Sequence, residues 1–206
     1  MNRGLQHLTK RILDIVHASN DSHPILNASI LHKQLNDVYE RRIYDILTVW
    51  RHIGVIEKIK GKRCYRWQGI QSVNYTLAQW LNAKAMPQRF RKSGIIAIRL
   101  CLFLMTQSDT RITVKELSEK LVRETQLKSE KVHYYCHRRL YDILHVLQAT
   151  GIITIQNQHR KRYGKCQIKW MKDRHEPKQE IYEWSSLPPL FPDIQHINQC
   201  QLMTFV

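Results

Sequence analysis

Residues 41–56 read RRIYDILTVWRHIGVI, and residues 138–153 read RRLYDILHVLQATGII. At this offset of 97, nine of sixteen positions are identical: both arginines, then Tyr, Asp, Ile, Leu, Val, Gly and the final Ile. Three more exchange one apolar residue for another. Unrelated stretches agree at about one position in twenty, so the chain carries two copies of one structural unit. At about 100° per residue, Ile43, Ile46, Leu47, Trp50 and Ile53 fall within an arc of roughly 120°, which predicts a helix with one buried face. Arg41, Asp45 and Thr48 point nearly opposite, Tyr44 lies on that outer side and Arg42 on its flank. The second copy repeats the pattern, with Leu140, Ile143, Leu144 and Leu147 inside and Arg138, Arg139, Tyr141 and Asp142 outside or flanking.

The flanks of the two motifs correspond as well. Leu5, Leu8, Ile12, Ile15 and Val16 recur at helical spacing. Asn27 is a good N-cap for a second helix carrying Leu31 and Leu35. In the second copy Ile95–Met105 takes the place of the first helix, and Thr113 with Glu116 forms a capping box ahead of Leu117 and Leu121. Each motif is therefore the third helix of a set. Gly54 and Gly151 stand where that helix ends. Val55–Lys60, the turn Gly61-Lys62 and Arg63–Trp67 read as a hairpin, matched by Ile152–Gln156 and Cys166–Trp170 around a longer basic tip. Three helices and a two-stranded wing make a winged helix, a helix-turn-helix variant. The fold class is mainly α with small β wings (α+β), as two tandem winged-helix domains. The first covers residues 1–69, a linker 70–94, the second 95–171, and an irregular, Pro-containing tail 172–206. Leu77, Trp80 and Leu81 suit a short helix packing on a domain, and Met86–Lys92 an exposed basic linker. If flexible, residues 68–94 would span about 25–30 Å, enough to set the two domains side by side.

Charge narrows the partner class. The 206 residues hold 33 Lys plus Arg against 17 Asp plus Glu, a net charge of +16. Residues 171–206 contribute three basic and five acidic residues, so the excess over residues 1–170 is +18. Such a balance favours a polyanion, and the tail is not the part that binds it. The five cysteines (Cys64, Cys101, Cys136, Cys166 and Cys200) show no Cys-x-x-Cys and an odd count, against a disulfide framework or four-cysteine zinc site. Met1–Leu13 mixes Arg, Gln, His and Lys with apolar residues, unlike a signal peptide. Ile95–Met105 is too short to span a bilayer and fits a buried helix, so no membrane partner is expected. His133, Cys136 and His137 have metal-like spacing, but the first copy has Asn36, Tyr39 and Glu40 there, and cap and packing roles fit better. No phosphate loop, nucleophile elbow or carboxylate cluster occurs; no enzyme activity, metal or cofactor is expected.

Paired arginines on an exposed helix face suit major-groove reading, because one guanidinium donates two parallel hydrogen bonds to guanine O6 and N7. This makes Arg41, Arg42, Arg138 and Arg139 the candidates for base contact. Asp45 and Asp142, three and four residues after the arginines, can hold the guanidinium groups in one orientation. Tyr44 and Tyr141 offer a hydroxyl to phosphate or a ring edge to base or sugar. Lys60, Lys62 and Arg63 of the first wing, with Lys58, and Arg160, Lys161 and Arg162 of the second, with Lys165, supply charge to phosphates.

The stretches Arg41-Arg42-Ile43-Tyr44-Asp45-Ile46, Gly54-Val55-Ile56-Glu57-Lys58 and Trp67-Gln68-Gly69 resemble the E-two-F/DP family of cell-cycle transcription factors. The resemblance covers about 145 of the 206 residues. It implies a winged helix whose two arginines read a GC-rich core. The second copy is similar to the second DNA-binding domain of the atypical tandem members, through Arg-Arg-Leu-Tyr-Asp-Ile and a wing ending in Lys169-Trp170. It is also similar to the DP side, through Leu117–Val122 with Glu124 and through Ala149 with Ile152-Ile153, but has Asp142-Ile143 where DP has Asp-Ala. An atypical tandem factor and a fused E-two-F–DP pair both fit.

The resemblance implies a nuclear, sequence-specific regulator of double-stranded DNA, with both halves of a pseudo-dimer in one chain. Residues 171–206 have no heptad run, which points to repression of cell-cycle genes by occupying sites. A monomer on DNA is expected, with a DP-like or co-repressor protein as further partner. The alternatives are a heterodimerising subunit and an architectural or replication winged-helix protein that binds by phosphates and shape.

Overall fold

The computed structural model describes residues 4–82, 92–106, 110–123, 130–157 and 166–171. Helix α1 (Leu5–His17) buries Leu5, Leu8, Ile12, Leu13 and Val16 on one side. Strand β1 (Ile25–Asn27) runs directly into α2 (Ala28–Leu35). Asn27 caps α2 as expected: its Oδ1 accepts from the amides of Ser29 and Ile30 at 2.9 and 3.2 Å. Helix α3 (Glu40–His52) follows, with the predicted Ile43, Ile46, Leu47, Trp50 and, just past it, Ile53 all fully buried. It ends at Gly54, whose φ of +87° suits a residue without Cβ, and Val55 donates back to the Trp50 carbonyl at 2.9 Å.

Strands β2 (Ile56–Lys58) and β3 (Cys64–Trp67) form the wing hairpin, with Glu57 opposite Arg66. The wing is three-stranded rather than two-stranded, because β1 pairs with the other edge of β3 in the order β1-β3-β2. The second repeat has the same plan. Helix α5 (Lys92–Thr106), β4 (Thr110–Ile112), α6 (Val114–Arg123), α7 (Glu130–Thr150), β5 (Ile153–Asn157) and β6 (Cys166–Trp170) give a sheet ordered β4-β6-β5. The expected capping box is present, with the Thr113 amide donating to Glu116 Oε2 at 2.7 Å and the Glu116 amide to Thr113 Oγ1 at 3.0 Å. Gly151 ends α7 at φ +81°. Leu140, Ile143, Leu144 and Leu147 are buried as predicted. Each repeat is a winged helix, and the whole is mainly helical with two small antiparallel sheets.

Between the repeats lies a further helix, α4 (Ser72–Asn82), within the stretch expected as linker. Val73 and Leu77 are buried, and Trp80 and Leu81 pack partly against the core, so the short helix expected around them forms and docks. Ser72 Oγ lies 2.6 Å from the Gly54 carbonyl, and Trp80 Nε1 donates to the His52 carbonyl at 3.3 Å. The span given above for a flexible connection therefore does not apply to Ser72–Asn82. Lys92, also expected in the linker, is the first residue of α5.

The two repeats share one hydrophobic core. Helix α1 lies against α7 as well as α3, and α5 lies against α3 as well as α7. The approach of α5 to α3 is close: a Cβ on Gly94 would overlap the buried ring of His52. Trp50 makes an edge-on contact with Trp67, ring centroids 5.4 Å apart, and its Nε1 donates across the repeats to Thr150 Oγ1 at 2.8 Å. Among the described residues no helix is long and apolar enough to cross a membrane.

Candidate nucleic-acid interface

The third helices, α3 and α7, carry the repeated motif, and their buried stripes fix which side chains remain outside. Arg41 and Arg138 are exposed. Arg42 and Arg139 are partly covered, because each meets two carboxylates. Arg42 Nη1 stands 3.9 Å from Asp45 Oδ2 on its own helix and 3.6 Å from Asp142 Oδ1 on the other. Arg139 Nη1 stands 3.4 Å from Asp142 Oδ2 on its own helix and 3.5 Å from Asp45 Oδ1 across. The four groups alternate in sign around a closed ring where the two helices meet. Their side-chain exposures, 41% for Arg42, 24% for each Asp and 19% for Arg139, show a ring partly withdrawn from solvent, most accessible at Arg42.

Residues 1–69 and 94–172 each match the winged-helix DNA-binding domain of the E-two-F/DP family. The chain belongs to the E-two-F/DP family. A search of the curated proteins finds no match to it. The family comprises DNA-binding transcription factors and not enzymes, so this member is a DNA-binding transcription regulator.

In this E-two-F/DP chain the wing residues Lys58, Lys60, Lys62 and Arg63 are all exposed around the turn at Gly61, where φ is +73°. Arg66 on β3 is exposed too and extends the same basic edge. The second wing's Arg160, Lys161, Arg162 and Lys165 lie outside the described residues, as do the side chains of His133, Cys136 and His137. Tyr44 is half-buried and packs against the core, and Tyr141 is half-buried as well, so neither is a freely projecting group. Among the described residues no cluster of three His, Cys, Asp or Glu gathers at metal distance.

The pairing of each Asp with an arginine of its own helix follows from the spacing of the motif. The pairing across the repeats does not, and neither does the Trp50–Thr150 bond. One signal pointed that way: Ile95–Leu104 is apolar almost throughout, and a helix apolar on all sides must be covered on more than one.

Proposed function

We propose that one chain binds one GC-rich promoter element as an intramolecular pseudo-dimer and represses cell-cycle genes in the nucleus by occupying their sites. Arg41, Arg42, Arg138 and Arg139 read base edges from α3 and α7. Tyr44 and Tyr141 orient on the sugar-phosphate backbone. Lys60, Lys62 and Arg63 on the first wing, and Arg160, Lys161 and Arg162 on the second, neutralise phosphates. The single observation that carries this reading is the meeting of two identical Arg-Arg-x-Tyr-Asp segments at the Arg42–Asp45–Arg139–Asp142 ring. The ring brings Arg42 of one repeat beside Arg139 of the other, and the exposed Arg41 and Arg138 each precede one of them in sequence. Within the chain α1 lies on α7 and α5 on α3, so each repeat packs against the third helix of the other, as the two halves of an intramolecular dimer would.

Competition between a GC-rich duplex and random duplex, with the mass of the complex measured by light scattering, tests the proposal. The expected result is a GC-rich preference with one chain per site. Two chains per site would remove the pseudo-dimer, and equal affinity for both duplexes would leave a shape-and-phosphate binder instead.

A further inference from the structure

The four-charge ring at the meeting point of α3 and α7 has a symmetry that local helix spacing does not require. In both aspartates Oδ2 faces the arginine of its own helix, while Oδ1 faces the arginine of the other repeat. All four contacts reach the guanidinium groups through Nη1, at 3.4 to 3.9 Å. Among the described residues, this leaves Nη2 and Nε of Arg42 for other acceptors. No guanidinium in the ring can swing without losing a carboxylate on each repeat.

Two guanidinium groups this close, each beside the same two carboxylates, would repel one another without them. The ring as a whole is neutral, so its carboxylates offset the arginines' charge at the point where both are to approach DNA. A carboxylate with each oxygen against a different guanidinium is poorly placed to accept from a cytosine amino group. Its effect on recognition runs through the arginines. Arg139 donates to both aspartates at 3.4 and 3.5 Å, while Arg42 meets them as ion pairs at 3.6 and 3.9 Å, and a guanidinium held between two carboxylates has fewer orientations open to it than one beside a single carboxylate.

We propose that Asp45 and Asp142 are positioning residues that each hold the base-reading arginines of both repeats, so that the preferences of the two half-sites are coupled through the ring. This rests on the base-reading role given above to Arg42 and Arg139. Removing the charge at one aspartate loosens Arg42 and Arg139 together. Sequence preference then falls in the half-site read by the altered repeat and also in the half-site read by the other.

The test is a set of duplexes, each changed at one base pair across the site, measured by competition with the full chain and with Asp45→Asn, Asp142→Asn, Arg42→Ala and Arg139→Ala. Asp→Asn keeps shape and removes charge. A melting transition like that of the unaltered chain reports that the variant is folded, and an affinity for random duplex no lower than before, raised if anything by the lost negative charge, reports that its phosphate contacts are intact. Each Asp→Asn variant is expected to reduce guanine preference roughly tenfold in both half-sites, the scale of one bidentate pair, and the two variants are expected to give the same profile. Flattening confined to the half-site of the altered repeat would overturn the coupling while leaving base reading in place. No flattening by either Asp→Asn variant, with flattening by the arginine variants, would overturn the positioning role. If the arginine variants instead lose equally on specific and random duplex, the base-reading role itself is wrong, and the coupling with it.

Discussion

Replacing Thr150 by Val should destabilise both repeats at once. The Thr150 hydroxyl, buried at the end of α7, accepts from Trp50 Nε1 at 2.8 Å and donates to the Val146 carbonyl at 2.7 Å. Val has nearly the same shape, so packing changes little, but the fully buried Trp50 indole N–H loses its acceptor. A buried donor left without a partner costs about 1–3 kcal/mol. In a chain of this size each kcal/mol moves the melting temperature by about 2–4 °C, so the expected loss is roughly 2–12 °C. Trp50→Phe removes the donor, and in that background Thr150→Val should cost distinctly less, with a coupling of about 0.5–3 kcal/mol. Thermal melting followed by circular dichroism on the four proteins measures it. A single transition is expected in each, because the two residues join the repeats within one core. An equal cost of Thr150→Val in both backgrounds would refute the bond. Two separate transitions, with only one of them shifting, would refute the shared core.

Further outcomes follow from other parts of the fold. Gly54→Ala should cost more than Gly151→Ala by urea titration: both have positive φ, worth ~1–2 kcal/mol for a residue with Cβ, but only at Gly54 would the Cβ also strike a side chain, that of Thr76. Lys60→Ala should weaken specific and random duplex alike and reduce the magnitude of the salt slope by about 0.9, as one phosphate contact does; Arg42→Ala should weaken specific binding by ~1–3 kcal/mol. Residues 1–70 or 93–171 alone should show no cooperative melting transition and bind the element far more weakly than the whole chain; a sharp melt from either piece would show that each repeat folds independently.

What was legible in the sequence was whatever one helix or one turn decides by itself. The buried arc of α3 from Ile43 to Ile53, the Asn27 cap, the Thr113–Glu116 capping box and the glycines at positive φ all depend on neighbours within a few residues, and spacing reports them. The strands β1 and β4 did not register because three residues are too few to show alternation. Helix α4 was visible through Leu77, Trp80 and Leu81, but not its docking onto Gly54 and His52. The largest gap concerns the site. Asp45 sits three residues after Arg42, so its pairing within α3 could be read directly. Its second partner, Arg139, is 94 residues away, and no periodicity along one helix names the helix that will face it. Val49 and His52, buried outside the predicted arc, mark where that second packing surface enters α3.

The shared core changes how a single chain would suffice on the proposed reading. A flexible tether would make the second binding event intramolecular at an effective concentration of order millimolar, but it would require each repeat to fold and dock separately. Here the first helix of each repeat also covers the third helix of the other, so apolar faces such as that around Trp50 are buried only when both repeats are present. Association of the repeats is then part of folding, and its favourable term is the hydrophobic burial of the core rather than the tether. The relative placement of α3 and α7 is fixed before DNA arrives. Less orientational freedom is lost on docking than with two hinged domains, so more of the contact free energy appears as affinity. On the proposed reading, the same rigidity would set the separation of α3 and α7, and with it the spacing of half-sites that their arginines could meet at once.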